Sequence, residues 1–224
     1  MRLSVIIILI AFLIAFPVHS NAQGIVYSSN ASAGKQIAIT FDDGPHPRIT
    51  KEILNILDEY NIKATFFVIG INAKNYPSRL RDIATRGHEI GNHTYSHNIL
   101  KSMPKEKIKK EILDAENQIF EITGKKPTLL RPPCGLYDEG VVEIAEKMDL
   151  KIVLWAIDTH DWAHNSALNI LENVSSKSKD GDIILFHDYV SGEYNTPQAL
   201  RRIIPTLLAQ GYEFVTVSEL LQDA

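Results

Sequence analysis

Short apolar runs of β character alternate with amphipathic helical segments along almost the whole chain, and no long linker separates them. The β-type runs are QIAITF (36–41), ATFFVIG (64–70), GHEIGN (87–92), TLLRP (128–132), KIVLWAI (151–157), DIILFHD (182–188) and EFVTV (213–217). Between them lie helical patterns over 49–61, 76–87, 104–124, 138–148, 166–178 and 196–211. In the longest, Ile108, Ile112, Ala115, Ile119 and Ile122 recur at helical spacing, with Lys and Glu on the other face. Gly87, Gly124 and Gly211 stand where helices should stop. Strict alternation of this kind predicts one α/β domain with a parallel sheet. A distorted (β/α) barrel of about seven parallel strands fits the count, and a doubly wound open sheet is the alternative. Asp42, Asp43, His93, Arg131, Asp158, Asp161 and His187 all fall at or just past the C-terminal ends of the expected strands. A barrel gathers such ends on one rim, whereas an open sheet gathers them mainly at a switch point, so the barrel is the better fit.

The N-terminus follows another logic. Arg2 precedes the uncharged apolar run VIIILIAFLIAFPV, and small residues follow at Ser20 and Ala22. That is the order of a secretory signal peptide, expected over 1–22 with cleavage after Ala22, and it predicts an exported, periplasmic or extracellular protein. The run is shorter than the roughly 20 residues of a spanning helix, so no stable membrane span is expected after cleavage. A short lead-in (23–34) then precedes the folded domain (35–224). The single cysteine, Cys134, excludes an internal disulfide. A formal net charge of −4 gives no electrostatic reason to expect nucleic acid as a partner, and the chain is expected to be a monomer.

Three stretches carry chemistry. In AITFDDGPHP (38–47), two carboxylates stand side by side where a strand ends. Successive side chains of a strand diverge, so a division of labour is expected, one acid on a metal and the other free to accept a proton. A solvated Asp-Gly-Pro turn is the plainer alternative. In GNHTYSH, His93 and His97 lie four apart, so one helical turn would place both imidazoles on one face as metal ligands. A pair of surface or capping histidines is the alternative. His187 ends a strongly apolar strand, where a nearby acid could hold it protonated as a general acid. Arg131 supplies a permanent cation suited to pairing with a carboxylate.

With these residues in place, the chain resembles the polysaccharide deacetylases of carbohydrate esterase family four, the NodB-homology domains. The family's five motifs occur in order as TFDDGP (40–45), HTYSH (93–97), RPPCG (131–135), DTHDW (158–162) and LFH (185–187), and the resemblance runs from about Lys35 to the C-terminus. It implies a metal-dependent hydrolase with Asp42 as base, Asp43, His93 and His97 as metal ligands, and His187 as acid. Arg131 would orient the base, Asp161 would pair with His187, and the Cys134 backbone N–H would donate to the oxyanion. Pro133, Trp162 and Leu185 would line the substrate groove. The implied metal is Zn2+, with Co2+, Mn2+ or Ni2+ sometimes serving. The implied reaction removes acetyl groups from N-acetylglucosamine units of peptidoglycan or chitin-type glycans. An O-deacetylase such as an acetylxylan esterase is the alternative, and a non-catalytic glycan-binding protein is a third reading. One departure stands out: Cys134 occupies a position that usually carries an aromatic ring. The expected consequence is a missing groove wall; the sharper alternative is a thiol that approaches the ion. His88 is read as structural, and no role is assigned to His46, His160 or His164.

Overall fold

The computed structural model describes residues 25–189, 192 and 194–222, so the expected signal peptide lies outside them. In chain order the elements are β1 (Val26–Tyr27), β2 (Gln36–Asp42), α1 (Ile49–Glu59), β3 (Thr65–Val68), α2 (Gly70–Asn75), α3 (Pro77–Thr85), β4 (Glu89–Asn92) and α4 (Lys105–Thr123). They continue with β5 (Leu129–Leu130), α5 (Glu139–Lys147), β6 (Lys151–Val153), β7 (Ile157–Asp158), α6 (Ala167–Lys177), β8 (Ile183–His187), α7 (Thr196–Ala209), β9 (Glu213–Phe214) and α8 (Val217–Leu220). The sheet order is β1-β6-β5-β4-β3-β2-β8-β7, with β9 also paired to β2, and every pairing is parallel. No helix among the described residues is long and apolar enough to cross a membrane.

The sheet is curled, and one short link shows why. β6 pairs next to β1 near one end of the order, while β7 sits at the other end, yet only residues 154–156 separate them. Leu154 N–H bonds to Tyr27 of β1 and Ala156 N–H bonds to Ile183 of β8. A link of that length reaches roughly 14 Å at most. The two ends of the sheet must therefore approach each other, which gives the distorted barrel expected from the sequence. This is also why KIVLWAI does not form one continuous strand: the chain leaves one side of the seam at Val153 and joins the other at Ile157. EFVTV is cut short too, because Thr216 stops the strand and caps α8 in a reciprocal capping box with Glu219. Val26–Tyr27, within the stretch read as a lead-in, pairs with β6 as an additional strand.

Strand periodicity sorts the side chains into two layers. Along β2, Ile37, Ile39 and Phe41 point outward into the main apolar cluster with Ile53, Leu57, Ile203 and Leu207 of α1 and α7. Ala38 points inward with Phe67, Leu129, Val153 and Ile183, and α8 closes that end with Val217 and Leu220. Thr40 and Asp42 continue the inward series, since Arg131 bonds to both. Gly91 leaves room for the Phe67 ring, which a Cβ would meet at 2.4 Å. The interior is thus apolar at its closed end and polar at the rim.

The outer layer depends on ring packing. Phe66 is 1% exposed and stacks on Phe41 with centroids 4.9 Å apart. Phe66→Ala should lower unfolding free energy by about 3 to 5 kcal/mol, read as an earlier urea midpoint with an unchanged slope.

Candidate active site

Asp42 and Asp43 look into the same hollow because the chain breaks strand alternation between them. Asp42 is the last residue of β2 and faces inward; Asp43 takes a left-handed backbone, φ 75°. Its carboxylate is thereby turned back toward the barrel mouth. Asp42 Oδ1 accepts a 2.7 Å hydrogen bond from Arg131 Nη1, and Oδ2 lies 3.6 Å from His93 Nε2. Asp43 Oδ1 lies 3.5 Å from His93 Nε2 and 3.2 Å from His97 Nε2.

The two histidines arrive by a different route from the one expected. Residues 93–98 form a loop, not a helical turn, with Thr94 and His97 at φ 65° and 60°. Glu111 of α4 clamps it, accepting the Tyr95 and Ser96 N–H groups and the Ser96 hydroxyl. His93 is buried, and its Nδ1–H donates to the Arg131 carbonyl at 2.7 Å, leaving the Nε2 lone pair for the cluster.

These residues fit a divalent metal. One carboxylate oxygen and two imidazole nitrogens, from Asp43, His93 and His97, lie within 4.8 Å of one another. Ligand atoms about 2.1 Å from a tetrahedral ion are roughly 3.4 Å apart, close to the spacings of Asp43 Oδ1 from the imidazoles. Asp43 Oδ1 is also buried without a hydrogen bond, as a ligand atom awaiting a cation would be. Burial pushes the Asp43 carboxyl up, but the facing His93, His187 and His97 rings outweigh it and hold it below the usual range. Cys134 lies outside the ligand cluster; its exposed side chain belongs to the cavity wall.

His187 ends β8 opposite this cluster. Its Nδ1–H donates to Asp161 Oδ1 at 2.8 Å, and its backbone N–H donates to Oδ2 at 2.9 Å. Thr196 Oγ1 donates to the same Oδ2, and Tyr194 OH donates to the His187 carbonyl. Burial alone would depress the imidazole, yet the Asp161 carboxylate raises its pKa to about 9. The ring therefore carries a proton at neutral pH, with Nε2 left for the cavity.

The cavity has a volume of about 360 Å³ and is lined by Asp42, Asp43, His93, His97, Cys134, Trp155, Asp158, Trp162, Leu185 and His187. Arg131 and Asp161 are buried supports off this lining, and Pro133 is buried and does not line it. His88 is remote from the mouth: its Nδ1 accepts the Ala64 N–H, and burial depresses its pKa to about 4, as suits a structural residue. Sequence reasoning missed Trp155, which packs on the 133–135 turn next to Gly135 and was hidden inside an apparently continuous strand. It also missed Thr40, an inward Arg131 partner, and Asp188, whose signal was an acid directly after an apolar strand.

Comparison with known proteins is consistent with this geometry. The polysaccharide deacetylase family profile matches residues 29–153, which contain the first three motifs. The chain is 42% identical over 190 residues to a peptidoglycan-N-acetylglucosamine deacetylase of Bacillus cereus, covering 84% of this chain and 89% of that protein. Its fold is similar to the crystal structure of a peptidoglycan N-acetylglucosamine deacetylase in complex with an N-hydroxybenzamide compound. That match has a TM-score of 0.86 at 36% identity and covers 89% of this chain and 94% of the other. It is also similar to a cobalt-bound family 4 acetyl xylan esterase from Clostridium thermocellum. Here the TM-score is 0.77 at 35% identity, covering 84% of this chain and 90% of the other.

The His187–Asp161 pair gives an expected pH limit. The imidazolium that can give a proton exists below about pH 9 and is lost as pH rises through that value. Asp161→Asn removes the largest of the raising charges, which also include Asp42 and Asp43, so the alkaline limb of kcat/KM should move to lower pH. A pH–rate profile checks this; an unmoved limb would show that His187 does not set it.

Proposed function

The chain belongs to the polysaccharide deacetylase family, and from that membership and the site's geometry we propose an exported, metal-dependent N-deacetylase acting on N-acetylglucosamine units of peptidoglycan or chitin-type glycans. The observation that carries this reading is the flanking of one ligand triad by an arginine-held carboxylate and a protonated histidine, all on one cavity. Asp43, His93 and His97 would hold the metal, with Zn2+ the best fit to the donor set and Co2+, Mn2+ or Ni2+ as alternatives. A divalent ion so held supplies Lewis acidity, lowering the pKa of water and polarising the acetyl carbonyl.

The protein's own groups account for the proton traffic. Arg131 fixes Asp42 Oδ1, which leaves Oδ2 on the cavity side to take the proton of the attacking water. The water oxygen bonds to the acetyl carbon, and the Cys134 backbone N–H would help hold the negative charge that develops on the carbonyl oxygen. The carbon–nitrogen bond then breaks as His187 Nε2–H protonates the departing amine. An amide nitrogen leaves poorly without that proton, so the site needs an acid as well as a base. Trp155, Trp162 and Leu185 offer apolar surface on the cavity wall to a sugar ring.

The likeness to an acetyl xylan esterase favours O-deacetylation as a second reading. An ester leaves with less help, so the two readings differ in their dependence on His187. For an N-deacetylase, His187→Ala should cost about 100-fold or more in kcat on an acetamide and much less on an acetyl ester.

The decisive measurement is acetate release by the mature protein from peptidoglycan, chitooligosaccharides and acetylated xylan. Chelation should abolish release and added Zn2+ or Co2+ should restore it. A folded protein that released no acetate from any of these, with metal added, would overturn the assignment.

A further inference from the structure

The loop that carries Asp43 is fastened by a side chain with no part in the proton transfers above. Asp188 follows β8, is completely buried, and its backbone N–H bonds to the Asp42 carbonyl at 3.1 Å. Its Oδ2 accepts a hydrogen bond from Thr50 Oγ1 at the start of α1. That hydroxyl in turn accepts the His46 N–H at 2.7 Å. The Gly44 N–H faces the same carboxylate. The approach is close enough that a Cβ on Gly44 would lie 2.2 Å from both Asp188 oxygens. From the other side, Asn72 Nδ2 donates to the Asp43 carbonyl and Ile69 N–H to the Gly44 carbonyl. Residues 43–46 are thus gripped between α2, α1 and Asp188.

An acid here is costly as mere filling. Asp188 Oδ1 is buried without an aligned hydrogen bond, and an apolar residue of similar size would avoid that desolvation cost. Meanwhile Asp43 holds a left-handed φ, which Asp tolerates better than most residues but which still costs energy without support from its surroundings. Asp188 supplies such support at Gly44, the residue that follows Asp43.

We propose that Asp188 is a positioning residue for the metal ligand Asp43: by holding Gly44 and Thr50 it keeps the Asp43 carboxylate turned toward His93 and His97. The inference rests on the metal reading given above.

The test compares wild type, Asp188→Ala and Asp188→Asn by Co2+ titration, using calorimetry and the visible absorption of bound Co2+, alongside melting of the metal-free proteins. Asp188→Ala should bind Co2+ about 10- to 100-fold more weakly, as losses of groups that orient metal ligands do, with an altered absorption band. Asp188→Asn keeps the volume and one acceptor and should recover part of the affinity. It also decides the matter if the alanine variant does not fold. A purely structural residue would lower the melting temperature and leave affinity and spectrum untouched. Folded variants with wild-type Co2+ affinity and spectrum would therefore overturn this inference alone, whereas a folded wild type that binds no Co2+ would remove the metal reading and this inference with it.

Discussion

The buried guanidinium of Arg131 is the constraint around which the rim is arranged. It has no exposure to solvent, and it spans the interior from β5 toward β2. Its nitrogens reach the Val153 and Leu154 carbonyls, Thr40 Oγ1 and Asp42 Oδ1, while the Phe67 ring lies 4.0 Å beneath it. A charge this deep is tolerated only when its donors are satisfied and a counter-charge is near. That requirement ties β2, β5 and β6 to one geometry. The Arg131 carbonyl also receives His93 Nδ1–H, so the same residue orients the proposed base and one proposed ligand.

Left-handed backbone recurs in the loops around the mouth. Asp43, Thr94, His97, Cys134 and His160 all have positive φ, and Asp43, His97 and Cys134 line the cavity. Such conformations cost on the order of 1 kcal/mol or more each for side-chain-bearing residues. The fold offsets this with local clamps: Glu111 on the histidine loop, Asp188 and Asn72 on the aspartate loop. Strand ends alone would aim successive side chains apart, and it is the left-handed turns that make them converge.

Much of this was legible in the sequence, for identifiable reasons. β2, β4 and β8 each lead an inward residue to the rim, so the strand-like runs that end at or just before Asp42, His93 and His187 marked both the strands and the candidate site. The convergence of these residues on one cavity was expected from those ends, and the roles proposed for them came from the family resemblance. The break at Leu154–Trp155 was not legible, because a run of apolar residues looks the same whether it continues one strand or steps across a seam. Nor was the His93–His97 loop, since spacing of four suits a helix and the clamp that prevents it, Glu111, lies on another element. Asp188 stood in plain view beside His187, but its partners Thr50 and Gly44 are brought to it only by folding.

The seam has a further consequence. Because residues 154–156 join the two ends of the sheet covalently, the rim cannot dilate at that point without drawing on the segment that bears Trp155. The hollow's width on that side is set by chain length and not by the softness of packing. A glycan bound at the mouth, as proposed above, would meet a wall of fixed position on the Trp155 side.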